Sequence, residues 1–453
     1  MHHLTRTRGA SLIAIVAFAI CANASAADFH VAPNGSDASP GSKEQPFATL
    51  EKACAAARGQ AGSTVWLHGG TYWMDKTLVL TPADSGLAIR AVDKETPVLS
   101  GGLPVAGWRK LTGEPAGVTA AAKGKLWTAD IPKGWCFHYL YVDGAPMPRA
   151  KLHNTHWRKW PTDFSRGTPA KDGQPVTFKN KAILQNIPAN GDVEMVCIMA
   201  QYGVMGNGVM TQVNPETGTA VWNSTQTHLG FRTRDPNRYT LENALPFIDQ
   251  PGEWSVDSTQ GKIYYWPESG EMKKDCRVIA PKTYELIRLQ GDEAGKKWVE
   301  KVSVSGLTMA YTDRLPEDKW PESWLRRQWE HVDAMVYLQG AKDCVIAGNR
   351  LLHSGASGIT LDHFCQGNRV EGNEIGWPGS DGIFLCGYGP GTLDANRENL
   401  ITRNWIHDMG QGNYWHSNAV QIYQSGHNQI TLNLLENSAY SCISIVCAGT
   451  FRS

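Results

Sequence analysis

The sequence predicts an all-β fold, a solenoid of stacked parallel strands interrupted once by a β-rich insertion. Three observations predict it. Short strand-like segments recur every 24 to 31 residues in the last third of the chain, these repeats lack helical periodicity, and similar segments occur near the beginning. Repeats of this length that contain strands are typical of solenoids, in which each coil contacts only its neighbours.

The first segment has the features of a secretory signal. Arg6 and Arg8 precede an apolar run at 10–22, and Ala24-Ser25-Ala26 supplies the small residues of a cleavage site. The pattern predicts a signal peptide over residues 1–26 and a mature protein that is secreted or periplasmic. Because a membrane span needs about 20 apolar residues, we expect no membrane association after cleavage.

Residues 27–103 carry the first predicted coils. Short strands are expected at 29–31, 65–67, 78–80, 87–89 and 98–99. Between the first two, residues 47–58 place Leu50, Cys54 and Ala57 at helical spacing. A helix at the end of a solenoid would cover its open apolar core, so this segment is predicted to be an N-terminal capping helix.

Residues 104–280 break the repeat and are predicted to form an inserted β-rich subdomain. They are rich in Trp and Tyr and contain hairpin signals. Asp143-Gly144 lies between two apolar stretches, which favours a tight turn between antiparallel strands. A second strand–turn–strand pattern covers 254–266.

The coils resume over residues 281–453, where an asparagine recurs at spacings of 24, 31 and 29. The four positions are Asn349, Asn373, Asn404 and Asn433. Each opens a unit of two short apolar strands separated by a polar or Gly-containing turn. We interpret the column as a structural ladder in which each side-chain amide bonds to the next coil. The pattern runs on to the last residue, so further coils are expected beyond it.

Composition narrows the class of protein. The chain has 43 basic and 43 acidic residues, whereas a nucleic-acid-binding protein would need a basic excess. Its 17 tryptophans are typical of sugar stacking, although core packing explains any single one as well. We expect a monomer without a nucleic-acid partner.

Two sets of segments carry a resemblance to known families. Phe29-His-Val-Ala-Pro-Asn-Gly-Ser-Asp37 with Gln45-Pro-Phe-Ala-Thr-Leu50 resembles the opening of right-handed parallel β-helix proteins of the pectate-lyase type. Leu140-Tyr-Val-Asp-Gly-Ala-Pro-Met-Pro-Arg-Ala150 and Gly252-Glu-Trp-Ser-Val-Asp257 are similar to segments of carbohydrate-active β-helix proteins like those of glycoside hydrolase family 141. The resemblance implies a right-handed single-stranded parallel β-helix. It also implies α-L-fucosidase or xylanase activity, with two acidic residues on the face of the helix.

Three aspartates are the candidate catalytic residues. Glycoside hydrolysis needs two carboxyls, one to protonate the leaving oxygen and one to activate water or attack carbon. Asp381 is the lone acid in a column otherwise formed by Ser and Asn, and Asp408 lies one coil further on. We predict that these two face one cleft and that Asp362, on an outward strand position, is the next candidate. The alternative is that they are turn residues that bond backbone amides.

Seven further residues are predicted to bind substrate because they are polar or aromatic and lie near the same turns and strands. They are His353, His363, Trp377, His416, Asn418, Gln421 and Trp324. Trp324 belongs to a long connection over 311–332 that is expected to fold over one face. An equally open interpretation is that its rings only anchor that loop.

The leading functional hypothesis is an exported glycoside hydrolase that acts on a poly- or oligosaccharide and needs no cofactor. A polysaccharide lyase on the same fold is the main alternative. It would need a base and a charge neutraliser such as Ca²⁺ or arginine, and no dense Asp cluster for Ca²⁺ is evident in the sequence. A non-catalytic carbohydrate-binding β-helix is the third hypothesis.

Overall fold

The computed structural model describes residues 26–166, 175–199, 204–223, 238–316, 333–388, 393–412 and 417–446. The chain begins with short strands and one helix, α1 (Leu50–Ala57). The strands are β1 (Asp28–Val31), β2 (Thr64–Leu67), β3 (Gly70–Trp73), β4 (Leu78–Leu80), β5 (Ala88–Ala91) and β6 (Pro97–Ser100). A turn of 3₁₀-helix lies at Pro82–Asp84.

Helix α1 is where the sequence predicted a helix. The Thr49 hydroxyl accepts a hydrogen bond from the backbone N–H of Lys52, which satisfies one of the free donors at the start of the helix. Leu50, Ala53 and Cys54 are buried in the same core as β1 and β2. The role of α1 as a cap of the solenoid stays a prediction. None of the helices in the described part of the chain has the length and apolar character of a membrane span.

The next strands form three antiparallel sheets. They are β7 (Gly102–Pro104), β8 (Arg109–Lys110), β9 (Trp127–Asp130), β10 (Leu140–Val142), β11 (Ala145–Met147), β12 (Phe164–Arg166), β13 (Pro175–Phe178), β14 (Asn190–Met199), β15 (Val204–Asn214), β16 (Thr219–Asn223), β17 (Arg238–Glu242), β18 (Trp254–Asp257), β19 (Lys262–Tyr265) and β20 (Val278–Pro281). The sheet orders are β11-β10-β20-β7, β12-β13-β16-β15-β14-β17 and β18-β19-β9-β8. Further 3₁₀ turns lie at Trp157–Lys159, Lys181–Leu184 and Leu245–Phe247.

This antiparallel region has apolar cores of its own. One core surrounds Trp222 and Tyr239, and another surrounds Phe137 and Trp254. The region is here called the insertion, because parallel coils precede and follow it. Its division from the coils at residues 104 and 280 stays a prediction.

The second set of coils follows. Its strands are β21 (Ile287–Gln290), β22 (Val299–Glu300), β23 (Ser303–Ser305), β24 (Thr308–Ala310), β25 (Ala334–Lys342), β26 (Val345–Ala347), β27 (Arg350–Leu352), β28 (Ser357–Gln366), β29 (Arg369–Glu371), β30 (Glu374–Gly376), β31 (Ile383–Cys386), β32 (Asn396–Arg397), β33 (Leu400–Thr402), β34 (Trp405–His407), β35 (Val420–Tyr423), β36 (Gln429–Thr431), β37 (Leu434–Glu436) and β38 (Ile443–Val446).

The coils stack into three parallel sheets that enclose one apolar core. Sheet A has the order β1-β2-β5-β23-β26-β29-β33-β36, and sheet B the order β3-β6-β24-β27-β30-β34-β37. Sheet C has the order β4-β21-β25-β28-β31-β35-β38. Strands from both sides of the insertion are direct neighbours, since β5 pairs with β23 and β4 pairs with β21. The predicted fold class, a right-handed single-stranded parallel β-helix, is therefore confirmed.

The predicted asparagine ladder lies at the turns from sheet A to sheet B. The Nδ2 of Asn349 donates to Oδ1 of Asn373 at 3.1 Å, Asn373 donates to Asn404 at 3.0 Å, and Asn404 donates to Asn433 at 2.9 Å. Each acceptor oxygen also takes the backbone N–H of the preceding ladder residue, and each amide also donates to a backbone carbonyl. The amides thus satisfy buried backbone groups that the short turns leave unpaired.

A second ladder, which the sequence analysis missed, follows the turns from sheet C to sheet A. Asn368 donates to Asn399 at 3.0 Å, and Asn399 donates to Asn428 at 3.1 Å. The two ladders repeat the same geometry at different corners of the coil. The signal was present in the sequence, because these residues share the spacings of 31 and 29 found in the first ladder.

We expect Asn373→Ala to lower the stability of the fold by about 1–3 kcal/mol, because the buried backbone N–H and the side-chain amide of Asn349 lose their acceptor and the Ile346 carbonyl loses a donor. Urea unfolding would measure the change, and Asn34→Ala, at an exposed turn position, is the matched control. Turnover per folded molecule should be unchanged. An unaltered unfolding midpoint together with lost turnover would show that the ladder belongs to a site and not to the scaffold.

Candidate active site

The turns that lead from sheet B to sheet C, here called the B–C turns, begin with one column of residues. The strand registers place His353, Trp377, Asp408 and Asn437 on successive coils. All four have positive φ, between 53° and 58°. Non-glycine residues rarely adopt this conformation, so the backbone at this corner is held by its neighbours.

The aromatic members of this column stack on one another. The ring centroids of His353 and Trp377 are 5.1 Å apart and nearly parallel, and Tyr311 stacks on the other side of His353 at 5.7 Å. Tyr141 of the insertion packs against the same histidine at 5.0 Å. Burial and the neighbouring His407 lower the pKa of His353 to about 4. The imidazole is therefore neutral near pH 7, and the roles of His353 and Trp377 in substrate binding stay predictions.

Asp381 lies near the end of a B–C turn and is almost completely buried, with 1% of its surface exposed. Its Oδ1 accepts hydrogen bonds from the backbone N–H of Asn418 at 2.7 Å and from Asn418 Nδ2 at 3.2 Å. Burial raises the pKa of Asp381 to about 7, although the two bonds from Asn418 oppose the rise. The carboxyl is thus poised to carry a proton near neutral pH, as a general acid must.

Two more of the predicted binding residues connect to Asp381. Asn418 Nδ2 also donates to Oε1 of Gln421, and Asn418 Oδ1 accepts from the Ser441 hydroxyl. Asn418 and Gln421 are both buried. The structure therefore brings Asp381, Asn418 and Gln421 into one hydrogen-bond network.

Asp408 begins the B–C turn of the next coil. Its Oδ2 lies 2.8 Å from Nδ1 of His407, and its Oδ1 accepts from Asn437 Nδ2 at 3.0 Å. About 30% of its side chain is exposed, in contrast to Asp381. The backbone N–H of Gly410 donates to the carbonyl of Ser380 at 3.1 Å. Asp381 and Asp408 thus lie on neighbouring turns that contact each other, and each carboxylate has its own hydrogen-bond partners.

Asp362 and His363 lie further along the strands of sheet C, away from the B–C turns. Asp362 Oδ2 accepts from the Tyr337 hydroxyl at 2.5 Å and lies 2.9 Å from His363 Nδ1. Although burial opposes it, the bond with Asp362 raises the pKa of His363. Asp362 pairs in register with Cys386, five residues beyond Asp381. At about 3.3 Å per residue this separates the two aspartates by roughly 16 Å along the strands, too far for a catalytic pair.

The outer face of sheet C carries polar residues that the sequence analysis did not single out. Arg288 and Tyr337 lie in the same outward column as the predicted binding residue Gln421, and the Arg288 guanidinium lies 4.0 Å from the centre of the Tyr337 ring. Arg288 also forms an ion pair with Glu285. Arg288 and Tyr337 were overlooked because their strands, β21 and β25, show only ordinary apolar alternation.

Asp333 is a second buried acid that sequence reasoning missed. One of its oxygens accepts the backbone N–H of Leu315 at 2.5 Å, and the other has no hydrogen-bond partner among the described residues. Burial raises the pKa of Asp333 to about 7. It precedes β25, which lies two strands from β31 in sheet C, so its backbone lies roughly 10 Å from that of Asp381. The sequence does contain one signal that could have identified Asp333. It lies just before a strand of the repeat, a position that Asp381 shares.

An ionic network joins the insertion to the coils close to these turns. His138 of the insertion lies between Glu194 and Asp313, with its ring nitrogens 2.7 Å and 2.8 Å from their carboxylates. Arg149 and Arg314 also contact Glu194. Burial raises the pKa of Glu194, but these three cations outweigh it and hold the pKa well below its usual range. No local sequence pattern predicts this ionic network, because its members are far apart in the sequence.

A cavity of about 350 Å³ lies beside this network, between the insertion and the B–C turns. Its lining includes Tyr139, Arg149 and Arg314 together with Gln411 and Gly412 of a B–C turn. Gln411 Nε2 donates to the backbone carbonyl of Asp408 at 2.8 Å, so the cavity is continuous with the turn that carries this aspartate.

His416 and Trp324 lie outside the described residues, so their predicted roles are carried forward as predictions. Within the described ranges, no three His, Cys, Asp or Glu side chains converge in a way that could hold a metal ion.

Comparison with known proteins places these features among carbohydrate-active β-helices. Residues 226–268 match the family model of the GH141 insertion domain, and residues 324–444 match that of the periplasmic copper-binding protein NosD. Pectate lyase PEL9 of Emericella nidulans is 31% identical over 128 residues, which are 27% of this chain and 29% of that enzyme's length.

Two solved structures are similar to this chain, and the first of them shows the same fold. One titled "Glycoside hydrolase" superposes with a TM-score of 0.69 at 22% identity and covers 90% of this chain and 80% of its own. XylC in complex with xylose gives a TM-score of 0.49 at 13% identity, over 90% of this chain and 60% of its own. The chain is therefore a right-handed parallel β-helix protein whose resemblance to glycoside hydrolase family 141 is confirmed.

Proposed function

We propose that the chain is an exported glycoside hydrolase that cleaves a glycosidic bond of a poly- or oligosaccharide at the B–C turns. The observation that carries the proposal is the pairing of two aspartates with opposite environments on neighbouring turns. Asp381 is buried with a raised pKa, whereas Asp408 is partly exposed and accepts hydrogen bonds. Two carboxyls in contrasting environments are what acid and base roles require.

Asp381 acts as the general acid in this proposal. It is protonated below about pH 7 and donates its proton to the leaving oxygen as the glycosidic bond breaks. The carboxylate that forms is stabilised by the backbone N–H and the side-chain amide of Asn418, which already bond its Oδ1. Gln421 and Ser441 orient that amide.

Asp408 acts as the second carboxylate. Its exposure gives it access to water, and Asn437 holds one of its oxygens. It either removes a proton from the attacking water or attacks the sugar carbon itself. Asp333 is the competing candidate, because it precedes a sheet C strand as Asp381 does, and one of its oxygens has no hydrogen-bond partner within the described part of the chain.

The sequence similarity to pectate lyase PEL9 supports a second candidate, a polysaccharide lyase. Arg288 on the outer face of sheet C could neutralise a uronate carboxylate, although Glu285 already pairs with it. The hydrolase is preferred because a lyase has no need of two carboxyls in contrasting environments on neighbouring turns, one buried with a raised pKa and the other partly exposed.

Product chemistry separates the functional classes. We expect the purified protein to release new reducing ends from at least one polysaccharide of a plant and microbial panel, without the ultraviolet absorbance of unsaturated uronates. That absorbance would identify a lyase, and binding without products would identify a carbohydrate-binding protein. Export is also part of the proposal, and N-terminal sequencing of protein secreted by a bacterial host should give Ala27 as the first residue.

Substitution of the two aspartates tests the mechanism. We expect Asp381→Asn and Asp408→Asn each to lower kcat by at least about 100-fold, the lower end of what an acid or base contributes. Asp394→Asn, an exposed turn carboxylate, is the control and should retain full activity. If Asp408→Asn stays active and Asp333→Asn does not, Asp333 replaces Asp408 as the partner. Normal activity of Asp381→Asn would overturn the mechanism.

The pH profile gives an independent test of Asp381. Its folded-state pKa of about 7 lies above the ordinary value, so the proton required for catalysis is present at pH 5–6 and is lost as pH rises through about 7. We expect kcat/KM to fall on the alkaline side with a midpoint near 7. Stability should also fall as pH rises from the ordinary carboxyl pKa of 3.8 to about 7, because over this range the folded state keeps a proton that the unfolded state has released. A profile that stays flat to pH 9 would contradict the assignment.

A further inference from the structure

His407, the last residue of β34, contacts the proposed catalytic carboxylate Asp408. Nδ1 of His407 lies 2.8 Å from Asp408 Oδ2, while Asp408 Oδ1 accepts a hydrogen bond from Asn437. In the proposed function Asp408 is a carboxylate that activates water or attacks the sugar carbon. A carboxylate only accepts hydrogen bonds, so Nδ1 of His407 carries the proton and is the donor of this pair.

The imidazole of His407 is packed against two tryptophan rings. The ring of Trp405 stacks on it, with the centroids 4.2 Å apart and an interplanar angle of 26°. The ring of Trp377 is nearly perpendicular to it, with a centroid distance of 4.7 Å. Nε1 of Trp405 donates to Oε2 of Glu436 at 2.8 Å, which anchors the stacked ring. The imidazole therefore has little freedom to turn away from Asp408.

A glycine on the neighbouring coil makes room for the imidazole. Gly376 pairs in register with His407, and a Cβ added to Gly376 would lie 2.7 Å from Cε1 and 2.8 Å from Nε2 of the histidine. Gly376 does not have a positive φ, so the conformation of its backbone does not require a glycine. The glycine is instead required by side-chain packing, in which the imidazole is the closest neighbour.

Packing alone does not explain why this position is a histidine. Only 4% of the His407 side chain is exposed. Its Nε2 lies 3.8 Å from Oε1 of Glu374 and has no hydrogen-bond partner within the described part of the chain. An unpaired buried polar atom costs free energy, which an apolar side chain of similar size would avoid. Among the described residues, the hydrogen bond that the imidazole forms is the one with Asp408.

We infer that His407 is a positioning residue, which fixes the orientation of the Asp408 carboxylate through its Nδ1–H. Trp405, Trp377 and Gly376 fix the imidazole in turn. The inference rests on the proposed function, because His407 acts through Asp408. It deepens that proposal by showing how a carboxylate with about 30% of its side chain exposed is oriented from the buried side while it stays accessible to water and sugar.

Two substitutions of nearly equal size test the role of the Nδ1–H. Asparagine can place an amide N–H near the position of Nδ1, whereas leucine has a similar shape without a donor. We expect His407→Leu to lower kcat by about 10- to 100-fold, because a displacement of roughly 1 Å can cost the upper value. KM should be unchanged, and His407→Asn should restore most of the lost kcat. The rate is measured as release of reducing ends from a polysaccharide that the unmodified protein cleaves. His30→Leu, at a half-exposed position of β1, is the matched control and should retain full activity.

Gly376→Ala tests the same contact from the neighbouring coil. It keeps both His407 and Asp408 but crowds the imidazole, so kcat should fall in the same way as in His407→Leu. Gly69→Ala is the control, because the atom nearest to its added Cβ is 3.4 Å away. If His407→Leu does not fold, as judged by circular dichroism, the comparison of these two glycine variants decides.

A double variant separates an effect through Asp408 from a general loss of structure. If His407 acts through Asp408, His407→Leu should lower kcat no further in the Asp408→Asn background. Additive losses, or a normal kcat of a folded His407→Leu variant, would overturn the inference and leave the proposed function standing. Full activity of Asp408→Asn, or no cleavage by the unmodified protein, would overturn the inference together with the proposed function.

Discussion

The stacking of one coil on the next is the constraint on which the rest of the structure depends. Parallel strands can lie only about 4.8 Å apart, and each coil must repeat the path of its neighbour to keep its hydrogen bonds. The asparagine ladders enforce this at two corners, because each amide bonds both the side chain and the backbone of an adjacent coil. Any functional group on a coil is therefore placed in whole steps relative to the groups on other coils.

The same constraint explains why the candidate site lies where it does. The corner from sheet A to sheet B has short turns whose polar groups are consumed by the ladder. The B–C turns are longer, and they bring buried carboxyls and exposed ones close to the insertion. The ionic network of His138 and Glu194 then fixes the insertion against these turns. The cavity is a product of both units, and neither could form it alone.

The repetitive part of the molecule could be predicted from the sequence, whereas its long-range contacts could not. Asn349, Asn373, Asn404 and Asn433 recur in the sequence as they recur in space, so fold, ladder and column were predictable. The link from Asp381 to Asn418 and Gln421 followed from the same register. Arg149, Glu194 and Asp313 could not be linked beforehand, because they meet only when the insertion docks on the coils. The burial that perturbs Asp333 likewise depends on its three-dimensional surroundings.

The left-handed backbone at the start of five B–C turns has a consequence for how such a protein can diversify. Tyr311, His353, Trp377, Asp408 and Asn437 share this conformation although their side chains differ in size, charge and shape. The flanking strands compensate for the energetic cost of the positive φ, so the cost does not have to be offset by the side chain at that position. Side-chain identity and main-chain path are thus uncoupled at this corner. A chain of this kind can exchange an aromatic residue for a carboxylate at this position, and so acquire a new chemical group, without a change in the backbone path of the turn.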